Sequence, residues 1–233
     1  MKRILEPEVM DTVEDAEEYD AMDFSESDTG FAERAAALLG VMPGGRVLDI
    51  GTGTAKIPVL FLARRPGSKV LAVDMAGEML RVAARNIAAA GLSQSCSLAS
   101  MDAKALDVAD GSFDLVMCNS IAHHVPEPLL LFREIARVAG PTGAVLLRDL
   151  IRPETPEAAW AIVDRLAAGD SQRQRQLFFD SLCAALTLDE VRELVAAAGL
   201  TGAVVTQSSD RHWSVERART EAAGASHHSS SLL

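Results

Sequence analysis

The chain has 233 residues, 48% of them hydrophobic and 24% charged, the composition of an ordinary globular protein with length for one sizeable α/β domain and additions to it. Lys and Arg number 22 against 33 Asp and Glu, and the resulting net charge of −11 is opposite in sign to a phosphate-neutralising surface, so nucleic acid is not an expected substrate. No apolar run approaches the roughly 20 residues of a membrane span, and no secretory signal follows Met1-Lys2-Arg3; the expectation is a soluble, cytoplasmic protein with no membrane partner.

Residues 6 to 28 are dense in acid (Glu14, Asp15, Glu17, Glu18, Asp20) with spaced apolar positions at Val9, Met10, Val13, Tyr19, Met22 and Phe24, a pattern that predicts a surface helix followed by a loop. A second helix is predicted from about Gly30 to Leu39, ended by the turn Pro43-Gly44-Gly45. From Arg46 onward short apolar runs alternate with amphipathic stretches: RVLDI, a helix to about Arg65, KVLAVD, a helix to about Ala90, SCSLAS, FDLVMCN, a helix to about Val138, and AVLLRDL. Pro66-Gly67, Gly91, Glu127-Pro128 and Gly140-Pro141 punctuate those helices where such residues belong. In the second of them Leu80, Ala83, Ala84 and Ile87 define a stripe expected to face the sheet. After Asp149 the pattern predicts a helix opening at Thr155-Pro156, another near 173 to 185, and a third whose Thr187 and Glu190 have capping-box spacing. Residues 203 to 207 and 212 to 218 read as an antiparallel pair of closing strands, and the Ser- and His-rich tail from Glu221 as disordered.

Strand, helix, strand, helix predicts an α/β protein with a Rossmann-like, doubly wound, mostly parallel sheet, an antiparallel C-terminal edge strand and helices on both faces. The expected division is an N-terminal helical lid or extension over 1–40, a main domain over 41–220 and a disordered tail over 221–233.

The sharpest signal is Val47-Leu48-Asp49-Ile50-Gly51-Thr52-Gly53-Thr54-Ala55, a buried strand entering a glycine turn that opens a helix. Glycines at 51 and 53 let the backbone turn tightly and let a ligand lie against it. A dinucleotide site needs a third glycine, G-x-G-x-x-G, for its pyrophosphate; that position here is Lys56, with Pro58 following.

The segment from about 45 to 150 resembles the class I S-adenosylmethionine-dependent methyltransferases, in which an acidic residue precedes the glycine turn and the cofactor's methionyl portion passes over it. Asp49, Gly51, Thr52 and Gly53 carry that motif. The resemblance assigns the ribose hydroxyls to Asp74, which ends the next strand 21 residues after Gly53, and the adenine to Met75. It also assigns the adenine amino group to the Met101-Asp102-Ala103 stretch, where Asp102 and Ala103 are the candidate contacts. Asn119 ends the fourth strand, and Ser120 through Pro128 match the family's passage into the next helix. The implied activity is transfer of a methyl group from S-adenosyl-L-methionine to a small molecule the sequence does not identify, leaving S-adenosyl-L-homocysteine. Two other readings stay open: an NAD(P)-dependent oxidoreductase, against which Lys56 speaks, and a non-catalytic S-adenosylmethionine-binding regulatory protein.

Sulfonium methyl transfer is a displacement in which positioning supplies much of the acceleration, and a base is needed only for an acceptor that arrives protonated. His124, His123 and Asp149 are the candidate bases, in that order, because they lie at carboxyl ends of strands where ligands of such sheets collect. Packing or ion-pair roles are the alternative for all three. Tyr19, the only tyrosine, is the candidate cofactor contact from the N-terminal lid. Trp160 and Trp213 are read as structural. Cys96, Cys118 and Cys183 form no CxxC pair and no zinc-ligand spacing, so they read as mostly buried reduced thiols and no metal site is expected. A homodimer stays open.

Overall fold

Val-, Ile- and Leu-rich runs become strands and the amphipathic stretches between them become helices in the computed structural model, which describes residues 1–6 and 11–221. In chain order the elements are α1 (Val13–Ala21), α2 (Ser25–Leu39), β1 (Arg46–Ile50), α3 (Lys56–Arg64), β2 (Lys69–Asp74), α4 (Gly77–Ala89), β3 (Cys96–Ser100), β4 (Leu115–Asn119), α5 (Pro128–Ala139), β5 (Ala144–Leu150), α6 (Pro156–Leu166), α7 (Gln172–Ala184), α8 (Leu188–Ala197), β6 (Val204–Gln207) and β7 (His212–Arg217). The tail expected to be disordered lies, from 222 on, outside the described residues, as do Val9 and Met10.

Among the described residues the strands form one seven-stranded sheet in the order β3-β2-β1-β4-β5-β7-β6. Strands β1 to β5 are mutually parallel, and β7 is antiparallel to both β5 and β6. The strand order reverses direction between β1 and β4, which creates a switch point where ligands of open α/β sheets bind. Register brings the carboxyl ends level: Ile50 pairs with Val73 on one side and Cys118 on the other, and Asn119 pairs with Arg148. Asp49, Asp74, Asn119 and Arg148 are thereby gathered at one edge.

Both faces of the sheet are covered, and successive strand residues serve opposite cores. Val47, Leu115, Met117, Ala144 and Leu146 pack with Phe31, Phe61, Leu62 and Ile87 from α2, α3 and α4. Leu48, Val116, Cys118, Val145 and Leu147 pack with Leu131, Phe132, Ile135 and Val138 of α5 and with Trp213. Each large apolar side chain fully buried this way contributes about 1.5–3 kcal/mol. Trp213 is wholly buried with its ring 6.3 Å from that of Phe132, and Trp160 stacks on Phe179 at 4.5 Å. All three cysteines are free and buried.

Several local expectations need correction. The helix placed at Gly30 starts at Ser25, because Glu26 and Asp28 put negative charge in the first turn, where it complements the exposed N–H groups, and the space around Gly30 is open. The buried face of α4 is Met79, Val82, Ala83 and Ile87, while Ala84 points to solvent; the helix is rotated so that Met79 rather than Leu80 heads the stripe. The capping box at Thr187 and Glu190 is formed, and a second one, Ser171 with Gln174, opens α7.

Candidate functional site

The turn after β1 is built by its own backbone. Gly51 and Thr52 N–H both donate to the Val73 carbonyl of β2, at 2.9 and 3.0 Å, which folds the loop across the end of the neighbouring strand. Gly51 and Gly53 adopt positive φ, +69° and +52°. Gly51 is required for a reason the sequence did not disclose: a Cβ there would lie 2.2 Å from Cγ2 of Ile121 in the loop after β4. Gly53, by contrast, has room, with only Tyr19 Cε1 near, at 3.5 Å from a Cβ position. Two non-glycine residues, Ala55 at φ 61° and Ser120 at φ 57°, also hold the left-handed conformation on either side of the switch point. Such strain persists where the surrounding structure enforces it, characteristically at functional sites.

A cleft with a cavity volume of about 130 Å³, open to solvent, lies over these turns. Its walls include Tyr19, Gly51, Gly53, Asp74, Met75, Asp102, Ala103, Asn119 and His124, nine of the thirteen residues singled out from the sequence. Asp74 accepts the Gly53 N–H on one carboxylate oxygen (2.8 Å) and the Ala76 N–H on the other (2.9 Å), so it holds the glycine turn while keeping lone pairs toward the cleft. Burial raises its pKa against the pull of those N–H donors. Met75 leaves 41% of its surface exposed at the rim of the cleft. Asp102 caps the Lys104 N–H (2.8 Å) and pairs with its ammonium at 3.0 Å.

Asp49 and Thr52 sit beneath the cleft rather than on its wall, 2% and 8% exposed. Burial pushes the Asp49 carboxyl up to about 7, with the neighbouring Thr52 hydroxyl opposing and the Asp74 charge adding to the rise. The Thr52 and Thr54 hydroxyls are buried under the turn, beside the Asp49 and Asp20 carboxylates.

His123 and Asp149 also lie off the wall. Asp149, a candidate base from the sequence, neither lines the cleft nor reaches the surface. It is 1% exposed and accepts His123 Nδ1–H at 2.6 Å and the His123 backbone N–H at 3.2 Å. Burial would depress the His123 pKa, but the Asp149 and Glu6 carboxylates outweigh it and hold it above the usual value. His124, whose ring centroid is 4.2 Å from that of His123, is the member of the trio on the cleft wall.

The N-terminal segment closes one side. Lys56, at the place of a third glycine, donates its ammonium to the carbonyls of Asp20 and Met22 and so ties the α1–α2 connection to the start of α3. Glu17 pairs with Arg81 and Arg85 at 2.8 and 3.0 Å, Asp20 with Arg85 at 3.0 Å, and Arg173 with Asp15 and Glu18. The acidic composition of α1 is thus answered by a basic face on α4 and α7. Tyr19 hangs from this segment, its phenol pushed up to about 12 by burial and therefore a neutral donor at physiological pH.

Sequence reasoning missed Met79, Lys104 and Ile121 on the wall, and Arg148, whose guanidinium bonds Asn119 Oδ1 (2.9 Å) and Ser27 and lies 4.9 Å over the Phe31 ring. Ile121 stood in plain view beside the histidine pair, but nothing local says that it abuts Gly51. Arg3 was equally silent: it donates to the carbonyls of Ala184, His123 and Val125 at 2.6 to 3.0 Å, strapping residues 1–6 across the loop after β4.

Comparison with known proteins agrees with this architecture. A family model described as a methyltransferase domain matches residues 48–147. A methyltransferase called GfsG from Streptomyces halstedii is 32% identical over 141 residues, covering 60% of this chain and 50% of the relative. A ubiquinone biosynthesis O-methyltransferase from Xanthomonas campestris pv. campestris is 35% identical over 123 residues, covering 52% and 49%. The chain spans about half the length of these curated relatives. Among solved structures, a SAM-dependent methyltransferase from Aquifex aeolicus has the same fold at 20% identity and a TM-score of 0.63, covering 89% of this chain and 98% of that one.

Proposed function

From a chain whose residues 48–147 belong to the methyltransferase-domain family, on the fold of class I S-adenosylmethionine-dependent methyltransferases, we infer a methyltransferase that acts on a small-molecule acceptor. The observation that carries this reading is the cleft at the switch point. It joins an open glycine turn, a carboxylate braced against that turn by its own backbone N–H, and an exposed apolar rim. Gly51 and Gly53, both lining the cleft at positive φ, fit a polar, chain-like ligand portion passing over the turn. Asp74 suits the ribose hydroxyls, Met75 the adenine ring, Asp102 and Ala103 its amino edge, and Asn119 and Tyr19 the side facing the acceptor. Bound there, S-adenosylmethionine supplies an activated methyl group.

The chain's own residues then position and shield. Tyr19, on the segment latched by Lys56, excludes water from one side of the cleft, and alignment of two reactants contributes on the order of 7–11 kcal/mol in such reactions. His124 is the group placed to take a proton from an acceptor that arrives protonated, with the buried Asp149–His123 pair fixing the loop that carries it. Of residues 1–40, expected to form a lid or extension to a domain spanning 41–220, α1 serves as the lid in this reading, whereas α2 packs into the domain's core through Phe31, Ala35 and Leu39. A cytoplasmic location belongs to the same proposal; among the described residues no helix is long and apolar enough to cross a membrane.

Calorimetry with S-adenosylmethionine, S-adenosylhomocysteine, NAD and NADP tests the cofactor, the first two being expected to bind and the nicotinamide nucleotides not. Tighter binding of NAD would overturn the reading. An acceptor screen that follows release of S-adenosylhomocysteine tests turnover, and binding without release to any acceptor would favour the regulatory alternative.

A further inference from the structure

Beside the cleft, the strap of residues 1–6 brings Glu6 against the two histidines after β4, a meeting that sequence spacing gave no reason to expect. The Glu6 side chain is 9% exposed, yet its Oε1 is fully buried and has no hydrogen-bond partner. That oxygen lies 3.4 Å from His123 Nε2 and 3.4 Å from His124 Nδ1, and each of the three residues offers a ligand atom within 4.8 Å of those of the other two. A charge-assisted N–H···O bond is shorter, about 2.7–2.9 Å. A separation of 3.4 Å instead matches the edge of a coordination tetrahedron, which is about 3.3 Å when metal–ligand bonds are about 2.0–2.1 Å.

The surroundings agree. The Asp149 carboxylate accepts His123 Nδ1–H at 2.6 Å, and the far ring nitrogen, Nε2, faces Glu6 Oε1 at 3.4 Å. A carboxylate that orients a histidine through its far nitrogen is the recurrent outer partner of a metal-bound imidazole. Glu6 Oε2 is itself held by the Ser181 hydroxyl at 3.3 Å.

We propose that Glu6 Oε1, His123 Nε2 and His124 Nδ1 bind one divalent transition-metal ion, with zinc the best match to two imidazoles and one carboxylate, and that the ion pins the N-terminal strap to the loop after β4. Three protein ligands leave the fourth position to solvent. Metal on Nδ1 keeps the proton on His124 Nε2, so the loaded protein presents His124 to the cleft as a donor; its service as a base belongs to the metal-free form. The site itself does not depend on the cofactor reading.

The test uses the full-length chain, stripped with a chelator, carrying His227→Ala and His228→Ala so that the tail contributes no imidazoles. Zinc is titrated by calorimetry and counted after gel filtration, with magnesium as the hard-ion control and cobalt as the spectroscopic probe. One zinc per chain is expected, no comparable magnesium binding, and a cobalt spectrum of tetrahedral intensity. Glu6→Gln and His124→Gln, each checked for folding by circular dichroism, should weaken zinc by more than the ~10–100-fold that loss of an outer partner produces. Absence of stoichiometric zinc, or zinc affinity unchanged in folded Glu6→Gln, would overturn the proposal in favour of a proton shared on His123 Nε2. Binding of S-adenosylhomocysteine is measured separately in the same samples, so failure of the metal site and failure of the cofactor reading are told apart.

Discussion

Replacing Asp49 by Asn should stabilise the unliganded protein, and more so as pH rises. Asp49 is 2% exposed beneath the glycine turn, and its carboxyl is pushed up to about 7 from 3.8, chiefly by burial. The folded state therefore keeps a proton that the unfolded state has already released, and stability falls as pH climbs from about 4 to about 7. Each pK unit corresponds to 1.36 kcal/mol, so the penalty works out at about 1.7 kcal/mol at pH 5 and about 4 kcal/mol at pH 8. Asparagine, nearly isosteric and uncharged, removes the pH-dependent part; any cost of its own amide is the same at both pH values and cancels in the comparison. Urea denaturation of the two proteins at pH 5 and pH 8 should show the variant's relative stability rising by about 2–3 kcal/mol between them. An offset equal at both pH values would refute a high Asp49 pKa. The same variant should bind S-adenosylmethionine less well at pH 8, because an ammonium-bearing ligand near the turn is what makes a buried carboxylate there worthwhile.

Asp74→Ala should weaken S-adenosylhomocysteine about 10 to 150-fold by calorimetry, the range for hydrogen bonds to a charged group, and unchanged affinity in a folded variant would remove Asp74 from the site. Gly51→Ala should destabilise by more than about 1 kcal/mol through its left-handed φ alone, with the overlap on Ile121 adding to it. Adding Ile121→Ala should make the pair less destabilised than the sum of the two singles by at least about 0.5 kcal/mol, and strict additivity in denaturant melts would show that the two residues do not collide. Binding of S-adenosylhomocysteine should protect residues 15 to 28 from hydrogen exchange, and Lys56→Ala, which frees the Asp20 and Met22 carbonyls, should raise exchange there without unfolding the sheet. Protection that is the same with and without ligand would argue for a fixed cap instead of a lid.

Local chemistry made the doubly wound order legible before any coordinates. Apolar runs of strand length alternating with helical stripes, each closed by glycine or proline, admit few topologies, and β1 to β5 fall where those runs lie. The glycine turn and the acid that ends β2 were equally local, since backbone conformation and strand termini are written within a few residues. Contacts between distant segments were not. The helix rotation that chose Met79 over Leu80, the need for glycine at 51 against Ile121, and the capture of Asp149 by His123 at 2.6 Å depend on how elements seat against one another across the sheet. The acidic N-terminus shows the division most plainly. Read alone, Glu17 and Asp20 were excess charge on a doubtful core element; folded, they face Arg81 and Arg85, and six residues that carried no local signal bring Glu6 to the histidines. A side chain's type and spacing determine what it is able to do, but its partner is chosen only when chain closure brings together groups that lie from about 25 to more than a hundred residues apart.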